Sequence, residues 1–293
     1  MRKLTALLLI IAAVNLFGQE KAGITGSVEW DSMRVNTRLS LDLASAGLRL
    51  PAGRTQAEAL LASGFFDLIM PYLLSLQVDS SSTVADLIER GELNYYDIED
   101  FALTAGSVAP SLSPDMRSIT SSHSLRLDSF SSSLLRHYRA SPVTRSLSSV
   151  TSAQYTGIII IAAENLPVHG MRSTALPVPC MFPKIWDSEM NLIYDRSMFD
   201  YRSIPYFAPM VHYSSLPNIF QSNPSGLSDE LKAIVGERPL RIFARGVFGI
   251  VPTDLIIDRS DALLIISSEE NRRLLSQGKV VFILDESVLY SYF

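Results

Sequence analysis

Residues 155–163 read YTGIIIIAA, with four isoleucines in succession. A run this apolar and β-branched, and this short, fits a strand that neighbours bury. A second run of the same kind, KVVFILD at residues 279–285, lies near the end of the sequence. These two stretches call for a sheet packed on one or a few helices, an α+β layer fold with a mixed or antiparallel sheet.

Composition agrees with a packed core. Of 293 residues, 47% are hydrophobic and 19% charged, which excludes disorder for most of the chain. The formal net charge of −5 leaves no basic surplus for a nucleic-acid backbone, so nucleic acid is not expected as a partner. The single cysteine, Cys180, can form neither an intramolecular disulfide nor a multi-thiolate metal site, and its neighbours Pro179, Met181 and Phe182 mark a buried, inert thiol.

Met1, Arg2 and Lys3 form a cationic head before 14 mostly apolar residues at positions 4–17. That length suits the apolar region of a secretory signal peptide and falls short of the ~20 residues a spanning helix needs. Cleavage is expected near Gly18. No cysteine follows the apolar run, so lipid attachment there is not expected. The sequence is therefore read as that of an exported periplasmic protein with no membrane span after cleavage.

Along the mature chain, positions 35–43 alternate apolar and polar residues at the period of a half-buried strand, with residues 27–31 as its hairpin partner. A helical stretch starts at Thr55, with Gly64 and Pro71 as interruptions, and a second follows Ser82 and stops at Gly91. Serine supplies 16 of the 46 residues at positions 107–152, which reads as an ordered but loose connection with one edge strand and one short helix. Beyond it, residues 182–187 and 191–194 form a hairpin carrying Trp186 and Tyr194. Residues 240–244 and 254–257 are strands, and Asp258 caps a helix over 259–277. Four segments follow: a signal peptide at 1–18, a strand-strand-helix subdomain at 19–106, the Ser-rich connection at 107–152 and a C-terminal α+β domain at 153–293.

The chain holds no Gly-x-Ser-x-Gly elbow, P-loop, GxGxxG, HExxH or EF-hand loop. Ser276 and Lys279 have the Ser-x-x-Lys spacing, but Gly278 ends the helix between them. The four histidines, His123, His137, His169 and His212, lack a partner histidine or carboxylate at helical spacing, so no metal face is expected. Asp97, Glu99 and Asp100 read as a solvated helix face. Tyr194, Tyr201, Tyr206, Phe207 and Tyr213 form an aromatic stretch suited to covering the sheet. No catalytic residue, cofactor or metal is expected.

The strands of the second half resemble those of a bacterial envelope family, the flagellar outer-ring and basal-disk proteins of the FlgP and FlgT type and their lipoprotein relatives. The matching positions are Thr156 and Gly157 before the isoleucines, Pro183, Trp186 and Asp187 running into Tyr194, and Thr253 with Asp254 before a Gly278-led final strand. The sequence departs from the family at residues 162–165 (AAEN) and in lacking the lipid-bearing cysteine. The resemblance implies a non-enzymatic periplasmic structural or assembly protein, with Thr156, Gly157, Pro183, Trp186, Asp187, Tyr194 and Asp254 as candidate binding positions. Its expected partners are itself or other envelope or flagellar proteins, met through sheet edges and the aromatic hairpin. A second reading is a periplasmic hydrolase or small-ligand-binding protein with its site near His169, Asp187 and Asp254, residues at strand ends where such scaffolds place function.

Overall fold

The computed structural model describes residues 22–146, 150–204 and 208–293. The expected signal peptide, and Tyr206 and Phe207 of the aromatic stretch, lie outside the described residues. β1 (Ala22–Glu29) and β2 (Arg34–Asp42) form the expected hairpin, with Val35, Leu39 and Leu41 of β2 turned inward. α1 (Gly53–Leu74) packs on this inner face through Ala57, Leu61, Phe65, Ile69 and Leu73, a strict four-residue stripe. It runs unbroken for 22 residues past Gly64 and Pro71, both expected as interruptions. Pro71 stands in the last turn, where its missing N–H costs one bond near the helix end. By length and composition α1 could also cross a membrane.

After α1 comes a small hairpin of β3 (Gln77–Asp79) and β4 (Ser82–Thr83). Then α2 (Val84–Glu89) is capped by Thr83, one residue beyond the expected Ser82, because Thr83 and Asp86 form a reciprocal capping box. α3 (Tyr95–Leu103) carries Asp97 in a second capping box, with Asn94.

The serine-rich segment is more than a connection. β5 (Gly106–Leu112) and β6 (Ser118–Arg126) extend the first sheet, and α4 (Leu127–Leu134) follows. β5 is the edge strand and α4 the short helix that were expected, but β6 is an interior strand pairing with β2 along nine residue pairs. Its Ile119 and Leu125 face the core, whereas Ser122 and Ser124 lie on the outer face. Much of the serine abundance is thus the solvent face of a sheet. In α4, Ser129, Ser131, Ser132 and Ser133 donate to backbone carbonyls three or four residues back.

The second sheet holds β7 (Ile158–Ala162), β10 (Ile185–Asp187), β11 (Leu192–Tyr194), β12 (His212–Ser215), β13 (Leu240–Phe248), β14 (Asp254–Ile257) and β15 (Val280–Leu284) in the order β11-β10-β14-β13-β7-β15-β12. A two-residue pair, β8 (Leu166–Pro167) and β9 (Thr174–Ala175), follows β7. The isoleucine strand runs parallel to β13 and β15 between them, with Ile158, Ile159 and Ile160 fully buried. One face joins the main core. The other is covered in part by α5 (Asp229–Val235), which sets Leu231 and Val235 against Ile159, Val281 and Ile283. The single helix expected over 259–277 is two, α6 (Arg259–Ile266) and α7 (Glu269–Ser276), because Ser268 caps the second. Asp258 makes no side-chain cap and instead pairs with Arg245 at 2.7 Å.

After α8 (Glu286–Leu289), the chain crosses back and β16 (Tyr290–Tyr292) pairs with β1, completing the first sheet as β16-β1-β2-β6-β5. The last residues therefore belong to the first sheet, so the expected domain at 153–293 is not closed on itself. The β3–β4 hairpin crosses the other way, accepting bonds from Met181 N and Phe182 N. The whole is α+β, one antiparallel and one mixed sheet with eight α-helices among the described residues. Three edge strands are short or irregular: β5 contains Pro110 and a register shift, and β11 and β16 are three residues each. β12 is the fourth edge, and residues 22–25 of β1 have no strand on the β16 side among the described residues.

Gly157 tests the packing of α5. A Cβ there would stand 2.4 Å from Val235 Cβ and 2.5 Å from Val235 Cα. Gly157→Ala is expected to lower stability by roughly 1–3 kcal/mol, while Gly64→Ala, in open space inside α1, should raise it by roughly 0.5–1 kcal/mol. Urea unfolding of both variants checks the opposite signs.

Candidate functional site

The polar candidates fall at two ends of the β10–β14 strand pair. Asp254 opens β14, where its carboxylate is fully buried. Oδ1 accepts from the Lys184 backbone N–H at 3.1 Å and the Thr253 hydroxyl at 3.2 Å; Oδ2 accepts from the Ser80 hydroxyl at 3.1 Å and the Trp186 indole at 3.2 Å. Burial raises its pKa, against the pull of the Lys184 N–H and the indole. Trp186 meets the edge of Phe248, with ring centroids 5.8 Å apart, and Phe248 meets His169 at 5.9 Å. His169 is exposed and is held by its backbone N–H to Val247 O at 2.8 Å.

Asp187 ends β10, three residues beyond the Lys184 that caps Asp254, and so about 10 Å along the strand from it. Its Oδ1 accepts from Asn191 N at 2.8 Å and Glu189 N at 3.0 Å, and its Oδ2 from Asn191 Nδ2 at 2.9 Å and from the Arg259 guanidinium. Burial acts to raise its pKa, but the bonds from Asn191, Arg259 and Glu189 outweigh it and hold the carboxyl below 3.8. The Asp187-x-x-x-Asn191 spacing closes the hairpin turn, and Arg259 ties that turn to the start of α6. Ser80 and Arg259 were invisible to sequence reasoning because each meets its partner across 174 and 72 positions.

The other motif residues are likewise built into the fold. The Thr156 hydroxyl donates to Val235 O at 2.6 Å and accepts from Arg238 N at 2.9 Å, fastening the end of α5, while Gly157 leaves room for Val235. Pro183 is buried beside the Asp254 cluster. Tyr194 is fully buried and donates to Met210 O at 3.3 Å, whereas Trp186, the other aromatic of the hairpin, is only half-buried. Cys180 is buried, and burial pushes its thiol pKa far up, as expected of an inert thiol.

His169, Asp187 and Asp254 thus do not converge: two are buried at opposite strand ends and the third is exposed. A carboxylate offers about four acceptor positions, and both Asp187 and Asp254 have that number of donors already. Among the described residues no group of three or more His, Cys, Asp or Glu is placed to hold a metal ion.

The two carboxylates carry opposite linkage. Asp187, depressed below 3.8, contributes stability that is fully present above that value and lost as pH falls through its lower folded pKa. Asp254, raised above 3.8, opposes folding once it ionises. Asp187→Ala is expected to cost on the order of 2 kcal/mol at neutral pH, with the deficit shrinking as pH drops below 3.8; denaturant titrations at neutral and acid pH check this.

Compared with protein-family models, residues 21–133 match the N-terminal domain of Treponema pallidum Tp0624 and residues 157–286 match its second domain. No curated protein matches the chain. The first match spans β1 to α4 and the second spans β7 to the start of α8, leaving β16 outside both. The chain is thus similar, over these two stretches in order, to the N-terminal and second domains of Treponema pallidum Tp0624.

Proposed function

We propose that the protein is an exported, non-enzymatic component of a bacterial cell envelope that works through protein contacts, with itself or with a periplasmic assembly. The observation that carries this reading is the use made of its polar candidates. Asp187, Asp254 and Thr156 are each bonded to several internal donors or acceptors, so they hold elements together and have no open position for a substrate. The cationic and apolar N-terminal residues support export.

Association with a flagellar ring or basal disk is the narrower form of the proposal. Its support is the set of short strand motifs, and those positions are the ones that build the second sheet. They therefore speak more for shared architecture than for a shared role.

Expressed with its own N-terminus in a Gram-negative host, the protein should be recovered from the periplasm with a new N-terminus within about two residues of Gly18 by mass spectrometry, and light scattering on that material should show self-association. Retention in the cytoplasm with residues 1–18 intact would contradict export. A strict monomer, together with unchanged motility and envelope architecture after gene deletion, would contradict the assembly role.

A further inference from the structure

Arginine is gathered unevenly on this acidic chain. Residues 135–146 (LRHYRASPVTRS) hold Arg136, Arg139 and Arg145 and no carboxylate. The segment leaves α4 and crosses the surface beside residues 195–202, where Ser141 N donates to Ser197 O at 2.7 Å and the Tyr201 hydroxyl donates to His137 O at 3.4 Å. That route brings Arg139 to α7. Arg139, Arg272 and Arg273 line one open cleft of about 740 Å³, whose other charged residues are Asp200 and Glu269.

Both carboxylates are engaged. Glu269 pairs with Arg273 at 3.2 Å, and Asp200 accepts from the Ser203 hydroxyl. Arg272, on the wall of the cleft, is held in place without an acid, donating to Ile266 O at 2.6 Å. Among the described residues neither Arg139 nor Arg272 forms an ion pair. Arg136 lies outside this cleft and lines a neighbouring one with Asp97 and Asp100.

We propose that this cleft docks an acidic segment of a partner protein, its aspartate or glutamate carboxylates taken by Arg139 and Arg272. Guanidinium presents a planar fork that matches a carboxylate with two parallel bonds, and a fork held by a backbone carbonyl loses less freedom on binding. The recess distinguishes a peptide from a bilayer: membrane-surface sites combine cations with protruding large apolar side chains, whereas the remaining walls of this cleft are the small or short residues Ala140, Ser141, Pro142, Val143 and Ser276. The opening is also larger than one phosphate fills and suits several residues of extended chain. This inference deepens the protein-contact reading above, and rests on it, by naming the chemistry of the partner.

The test is fluorescence anisotropy of a labelled oligo-glutamate peptide with the mature chain, alongside oligo-lysine, inorganic phosphate and phosphatidylglycerol vesicles. Oligo-glutamate should bind, weaken as ionic strength rises, and lose roughly tenfold or more in affinity in the Arg139→Glu variant. Arg139 is exposed, so the circular dichroism spectrum should not change. No binding by the folded protein, equal binding by the variant, or capture of vesicles or phosphate in preference to the peptide would overturn it. Light scattering on the unsubstituted mature chain separates the two readings: self-association with no peptide binding overturns the acidic-partner inference and leaves the assembly role standing.

Discussion

The rest of the structure depends on the return of the final strand to the first sheet. β16 pairs with β1 in antiparallel register, and Phe293 exchanges backbone bonds with Gly26 at 2.8 and 3.0 Å. Gly26 is required there because a Cβ would stand 2.5 Å from the Asn36 backbone O and 2.6 Å from the Phe293 ring, which stacks on Tyr72 of α1 at 3.9 Å. Trp30, just past β1, meets Tyr213 of the second sheet at 6.0 Å, and Tyr213 meets Phe282 of β15 at 6.1 Å. One apolar cluster therefore runs from the first sheet through α1 into the second sheet. The two stretches that match separate domains elsewhere share a single core here.

Within that core the polar residues act as fasteners. Asp254 joins the β3–β4 hairpin, through Ser80, to β10 and β14, and Val251 N reinforces the junction by donating to Ser80 O at 3.0 Å. Asp187 joins the β10–β11 turn to α6. Their acid-base behaviour follows from how well each is supplied with donors. Asp187 receives two backbone N–H groups, an amide and a guanidinium, which stabilise its charge, whereas Asp254 has neutral donors that do not offset burial.

Much of the architecture is legible from residue pattern, because burial leaves a local trace. The alternation in β2, the isoleucines of β7 and the apolar run of β15 each encode how many faces are covered. The features that escape pattern depend on distant partners. Serines 118–124 look like linker until β2 and β5 flank them and their outward set becomes a solvated face. Tyr290–Tyr292 is too short to read as a strand without β1 beside it. Asp187 and Asp254 stand out in the sequence, but the donors that decide their roles, Arg259 and Ser80, lie far away along the chain. Net charge likewise conceals the gathering of Arg139, Arg272 and Arg273 from two segments.

The two tryptophans allow the shared core to be tested directly, since Trp30 adjoins the first sheet and Trp186 lies in the second. In Trp30→Phe and Trp186→Phe variants, equilibrium unfolding in urea is followed by the remaining tryptophan and by far-ultraviolet circular dichroism. A single cooperative unit requires the fluorescence and dichroism transitions to coincide within each variant. Separate midpoints, with the first sheet melting while Trp186 remains buried or the reverse, would show that the two sheets fold as independent domains and contradict this account.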